Sequence, residues 1–279
     1  MAMRKATMFQ VSFLERLKKY FIVILLIIIE CRFFQRSAEQ WMQFHDTEYC
    51  LTIGDYVINF FKGSFPYTMT GRVEAFNIPP ILSMYLIYYF VLIGKSVADI
   101  FSPFQIQCTL RKGSRRRWWL YQNFTIWRET VCYLLITGFT FLIYAGCTGA
   151  VFAKGGTDFY LSYLGLDISQ ISILKDVALP CLFILTALAY IQYVVSLKSN
   201  VFIGIILSTT IWVCSVFHWN FLLPGNYLMI VRHELIQADG AGVMTGVLWS
   251  VIILILMFIL GKHITKYKDI FYVKNTIKI

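Results

Sequence analysis

Long uncharged stretches alternate with short polar ones along this chain of 279 residues. Five runs, 76–94, 130–152, 177–197, 199–217 and 241–261, reach or approach the roughly 20 residues that carry a helix across a hydrocarbon core. A sixth run starts near Tyr20 and is interrupted by Glu30 and Arg32. In lipid every unpaired backbone group costs several kcal/mol, and these runs lack the strict alternation of a membrane barrel strand. The pattern predicts an all-α membrane protein with six transmembrane helices in a single transmembrane domain over residues 1–279.

The polar segments fix the orientation, because cytoplasmic connections hold Lys and Arg and external ones do not. Residues 1–20 carry five basic side chains, the 95–129 connection seven, Lys198 one, and the tail after Gly261 five. The connections 35–75, 153–176 and 218–240 carry three, two and one, and in each the acids outnumber the bases. Six spans with both termini cytoplasmic satisfy every connection. The net charge of +10 then reports topology, and nucleic acid is not an expected partner. A rival reading makes the N-terminus a cleaved signal peptide, which would leave five spans. The seven cysteines show no CxxC pair or metal spacing, so neither a disulfide framework nor a metal site is expected.

Residues 8–20 place Phe9, Phe13, Leu17 and Tyr20 at helical spacing, with Glu15, Arg16 and Lys19 elsewhere around the helix. That suits an interfacial helix with its cations at lipid headgroups. Glu30 follows about ten residues after Tyr20, near mid-depth, where a carboxylate has to face protein or water. It is either a structural ion-pair member, with Arg32 close by, or a group lining a substrate path.

The 95–129 connection is the longest inner one. Phe104, Ile106 and Leu110 form an apolar stripe, and Arg111, Lys112, Arg115, Arg116 and Arg117 lead into Trp118-Trp119. The tryptophans suit an aromatic belt. The arginines suit anionic lipid, and a short cytoplasmic helix that a soluble partner grips explains the length as well. Gly94-Lys95-Ser96 ends like a phosphate loop, but Tyr89 stands where its first glycine belongs.

On the outer side, Gly54-Asp55-Tyr56 and the apolar residues through Phe61 predict a small ordered cap. The 218–240 connection is too apolar for a plain loop. It predicts an external re-entrant helical hairpin between spans five and six, broken at Pro224-Gly225, with Arg232 closing its second arm. His233-Glu234 begins a zinc-protease signature that fails at Gln237, so His233 is expected to be an exposed interfacial group. No serine elbow or paired-acid protease motif appears, and the chain is not expected to be an enzyme.

This arrangement resembles the membrane subunit of a type 2 ABC exporter. The local likenesses are the stretch from Gly54-Asp55-Tyr56 to Gly94-Lys95, the 111–119 segment, and Pro224-Gly225-Asn226-Tyr227 with Arg232. They are similar to a group of Gram-positive bacterial permeases for peptides or antimicrobials. The resemblance implies a permease without nucleotide chemistry of its own. Separate ATPase subunits would bind ATP and Mg, and a second permease subunit, identical or not, would complete a dimer in the bacterial plasma membrane. It further implies ATPase coupling through Phe104, Ile106, Leu110 and the 111–117 cations, and a substrate path lined by Glu30, Tyr85 and Tyr88. A membrane-embedded peptide-immunity or sensor protein, or a lipid-modifying enzyme, is the alternative.

Overall fold

The computed structural model of the protein describes residues 18–66, 78–100, 115–237 and 239–267, apart from the side chains of Ile100, Arg115 and Thr157. Its helices are α1 (Phe21–His45), α2 (Ile53–Phe61), α3 (Pro80–Ile100), α4 (Arg115–Thr148), α5 (Thr157–Leu164), α6 (Leu179–Lys198), α7 (Val201–Phe217) and α8 (Val243–Tyr267). A π-helical turn, Ile173–Ala178, leads into α6, and two 3-10 turns, Pro224–Leu228 and Ile230–Arg232, lie between α7 and α8. Among the described residues the backbone forms no strand, only isolated bridges between Thr52 and Val151 and between His233 and Ala241.

Among the described residues four segments are long and apolar enough to cross a membrane: Pro80–Asp99, Arg116–Thr148, Ile173–Lys198 and Val243–Lys266. α7 is apolar but has 17 residues, and α1 has 25 with charged side chains among them. α6 is the central helix, packed against α3, α4, α7 and α8. Its apolar window is 67% buried against 28% for α8, which exposes Leu248, Ile255 and Ile259. α1 buries the stripe Val23, Ile27, Cys31, Phe34 and Ala38, yet Phe21, Leu25 and Phe33 on its other side are also apolar and exposed. Helices that are apolar all round suit lipid as the outer solvent. The architecture is that of a multi-pass membrane protein.

Close helix approach depends on small residues. A Cβ on Gly204 of α7 would fall 2.7 Å from the carbonyl oxygen of Gln192 on α6, so the helix pair joined at Ser199 meets backbone to backbone.

The outer connections are built as a structure of their own. Thr52 caps α2 with a full capping box, in which its hydroxyl accepts from the backbone of Asp55 and the Asp55 carboxylate accepts from the backbone of Thr52. Asp55 is fully buried and also accepts from the Tyr49 hydroxyl at 2.7 Å and from the Gly156 backbone at 3.1 Å. Tyr160 donates to the Asp55 carbonyl at 2.6 Å. Asp55 thereby fastens the first outer connection to the second. Burial raises its carboxyl above the ordinary aspartate range, against the pull of those donors.

Arg232 is the second fastening. It is 1% exposed and donates only to neutral oxygens: Ser64 O at 2.7 Å, Ser215 O at 2.5 Å, Val216 O at 2.6 Å, and the Asn226 side chain. Ser215 and Val216 end α7, where helix carbonyls lack intrahelical partners and carry the negative end of the dipole. The guanidinium satisfies them and ties α7 to the 62–64 segment and to the turn at Asn226.

The 218–240 connection departs from the predicted pair of helices broken at Pro224-Gly225. Pro224 opens the first 3-10 turn, where its missing N–H costs nothing, and the break falls at Met229. His233 is a correction as well. It is 1% exposed, with Nε2 against the Tyr227 carbonyl at 3.1 Å, because the bridge to Ala241 folds the chain over it.

Two outcomes are expected. Arg232→Met leaves four buried oxygens without donors and should lower stability by about 3 kcal/mol, with Arg232→Lys intermediate, as read by thermal unfolding in detergent. For Asp55, the raised folded pKa means that the native state holds this proton more tightly than the unfolded chain. Its contribution to stability grows as pH falls through that value. The thermal advantage of the wild type over Asp55→Asn should widen on acidification.

Candidate functional site

Charged and hydroxyl side chains converge where α1, α3, α4 and α6 meet. The Lys19 ammonium pairs with the Glu129 carboxylate, and Tyr20 donates to the same oxygen at 2.9 Å. Arg128 reaches the other oxygen at 3.3 Å. Tyr88 on α3 donates to the Lys19 carbonyl at 2.5 Å. Side-chain exposures of 27% for Lys19 and 16% for Glu129 place the pair largely inside the protein.

Next to the pair runs a file of tyrosines. Tyr89 bonds Thr130 at 2.7 Å and donates to the Leu185 carbonyl at 3.1 Å, joining α3, α4 and α6. Tyr133 donates to the Tyr85 carbonyl at 2.7 Å, and Tyr85 bonds Thr137 at 2.9 Å. The Tyr133 ring lies 4.8 Å from Tyr85, 4.9 Å from Tyr89 and 6.5 Å from Tyr20. Helical spacing explains the convergence. Residues 85 and 89 share one face of α3, and residues 129, 130, 133 and 137 share one side of α4.

These contacts fix a level. Tyr89 and Leu185 are at the middle of the apolar segments Pro80–Asp99 and Ile173–Lys198, and Thr130 is close to the middle of Arg116–Thr148. Lys19 and Glu129 therefore lie level with the middle of these helices. The apolar runs instead put both at inner ends and Glu30 at mid-depth. The difference arises because α4 starts at Arg115, so Glu129 lies about 21 Å into it at 1.5 Å per residue. The apolar residues Trp118, Trp119, Leu120, Phe124, Ile126 and Trp127 were the available signal.

Glu30 is about three helical turns further along α1. It accepts from the Asn59 amide at 3.1 Å, while Arg32 turns to Gln35 at 3.4 Å and is not its partner. Glu30, Asn59, Lys62, Gly63 and the 78–82 segment line a half-open cavity of about 220 Å³. Burial pushes the Lys62 ammonium below the ordinary lysine range, and the charge of Glu30 opposes the shift. No ion pair joins the two among the described residues.

The other predicted residues are distributed as follows. Tyr85 is 0% exposed and walled by Phe60 and Phe61, so it does not line the Glu30 cavity. Tyr88 is half-buried beside the ion pair. Pro224, Gly225 and Arg232 are all buried in the outer fastening. Arg116 and Arg117 are exposed in the first turn of α4, and the backbone of Arg115 starts it. Phe104, Ile106, Leu110, Arg111 and Lys112 lie outside the described residues, as do residues 8–17 of the interfacial segment. Of the 95–129 connection, 95–100 continues α3 and 115–129 is the first part of α4.

Nearer the inner end, Trp119 stacks on Tyr193 at 5.5 Å, and the Trp119 indole N–H, the Asn123 amide oxygen and the Tyr193 hydroxyl are buried without partners among the described residues. Among the described residues no group of three His, Cys, Asp or Glu side chains could hold a metal ion. Comparison with protein-family models, curated proteins and solved structures finds no match.

The ion pair makes a direct prediction. Glu129→Gln leaves the Lys19 ammonium uncompensated and should cost about 3 kcal/mol, and Lys19→Met, which leaves Glu129 with Arg128 and Tyr20, should cost less. The double variant should recover a large part of that loss. A double-mutant cycle on thermal unfolding in detergent measures the coupling.

Proposed function

We propose that the chain is the transmembrane permease subunit of an ATP-driven ABC exporter, moving a peptide or other amphipathic or hydrophobic compound out of the cell. In this reading α1, α3, α4, α6, α7 and α8 are six spans in a bacterial plasma membrane, with both termini cytoplasmic. The buried 224–233 segment is the external re-entrant element. Separate ATPase subunits bind ATP and Mg, and a second permease subunit completes the dimer.

The observation that carries this is the Lys19–Glu129 pair. It joins the segment before α1 to the helix whose first turn holds Arg115, Arg116 and Arg117, and Tyr88 joins α3 to the same point. The pair thus ties the residue that follows the N-terminal segment to the helix that continues the inner loop, the two parts to which the exporter resemblance gives the levers. Ionisable groups at mid-depth facing a bundle interior are characteristic of transport pathways and relays. Closure of an ATPase dimer would act on residues 104–117 and on the N-terminal segment. The pair would pass that motion to α1, α3 and α4. Glu30 and Tyr88 flank the stretch of α1 along which a solute would travel, and Tyr85 belongs to the wall that must shift to open it.

Mild-detergent affinity purification from the native host, with ATP hydrolysis assayed, tests this. A near-stoichiometric ATPase should co-purify, and replacing Arg111, Lys112, Arg115, Arg116 and Arg117 together by Ser should release it while the chain still folds. A chain that purifies without any nucleotide-hydrolysing partner under several mild conditions would overturn the assignment.

A further inference from the structure

The cavity at Glu30 has a chemistry that the Lys19–Glu129 pair does not use. One wall carries a carboxylate, of which one oxygen is held by Asn59 at 3.1 Å. The same cavity is lined by the Lys62 ammonium, and no ion pair joins the two charges. An acid and a base that line one cavity of about 220 Å³ without forming an ion pair offer complementary sites for a small molecule that bears both charges. The volume is below the roughly 300 Å³ at which drug-sized sites begin, so the fit is to a headgroup and not to a length of folded peptide.

Position narrows the ligand further. Pro79, Pro80, Ile81 and Leu82 line the cavity, and Pro80 is the first residue of an apolar segment long enough to cross a membrane. The cavity is therefore level with one end of that segment, where lipid headgroups lie. Ile78 in its lining is 48% exposed, and Met84, one helical turn after Pro80, and Phe33, three residues after Glu30, are 57% and 63% exposed. Acyl chains suit such a surface.

We infer that this cavity binds the zwitterionic headgroup of an aminophospholipid, with the primary ammonium on Glu30 and the phosphate on Lys62. The Asn59 amide holds the Glu30 carboxylate toward the cavity, and the rim at Ile78 and Met84 receives the chains. A quaternary ammonium has no N–H to donate to Glu30, and a glycerol headgroup has no cation, so both should bind less well. The inference needs a membrane but no ATPase, and it stands or falls separately from the exporter assignment.

The test is native mass spectrometry of the delipidated full-length protein, titrated with phosphatidylethanolamine, phosphatidylcholine, phosphatidylglycerol and soluble phosphoethanolamine. Phosphatidylethanolamine should bind at least tenfold more tightly than the other two lipids. Glu30→Gln and Lys62→Met should each abolish that preference, while Lys154→Met, at an exposed outer position, should keep it. Thermal unfolding of each variant establishes that it is folded. Soluble phosphoethanolamine should compete only at far higher concentration than the lipid, and equal affinity for the two would overturn the lipid source. Equal retention of all three lipids, or an unchanged preference in folded Glu30→Gln and Lys62→Met, would overturn the site.

Discussion

A lysine and a glutamate placed in the middle of an apolar bundle have to be built around, because either charge alone is intolerable there. The Lys19–Glu129 pair is such a constraint. Desolvating two ions costs several kcal/mol each, and their attraction offsets this only when the remaining lone pairs and protons are also satisfied. Tyr20 and Arg128 do this for the carboxylate. The positions of α1, α3 and α4 follow, since Tyr88 and Tyr20 reach the pair only if the three helices meet at that level. The tyrosine and threonine bonds beside it extend the same contact to α6.

The outer part obeys a related rule with different chemistry. Connecting backbone that is buried must have its polar groups paired within the protein. One anion and one cation supply much of that pairing. Asp55 gathers donors from Tyr49, Thr52 and Gly156, and Arg232 gathers acceptors at the end of α7, at Ser64 and at Asn226. Neither is part of an ion pair among the described residues. Each replaces water for a set of backbone groups, which is why a single substitution at either position reaches two connections at once. The cavity at Glu30 borders this outer part, where Lys62 leaves α2 and Val231 donates to the Lys62 carbonyl.

Much of the fold was legible in the amino-acid pattern, because run length and hydropathy alone decide whether a helix can form and be surrounded by apolar groups. The runs at 76–94, 130–152, 177–197, 199–217 and 241–261 all contain helices. Their limits moved for local reasons. Pro80 starts α3 four residues later than the run, and Gly149, with φ of 73°, stops α4 before the run ends. The large shift, α4 beginning at Arg115, was hidden because Arg128 and Glu129 read as an edge of the membrane when their neutralising partner is 110 residues away. Pairing across the chain is not written in a local window. The same applies to Arg232, singled out by its place after Tyr227 while its acceptors at 64, 215 and 216 were not foreseeable. Glu30, in the middle of an apolar run, needs a partner. That partner is Asn59 and not the nearby Arg32.

The level of the ion pair is the central claim, and depth measured by electron paramagnetic resonance tests it most directly. In a cysteine-free background, single spin labels at the exposed positions Ile87 and Trp127 report the level of Tyr88 and Glu129, and labels at Ile78 and Asp99 report the two ends of α3. Oxygen accessibility in reconstituted bilayers is expected to be greatest at Ile87 and Trp127, with both labels near the bilayer centre and the end labels near headgroups. Labels at Ile87 and Trp127 that sit at headgroup depth would contradict the claim and return the pair to the membrane edge.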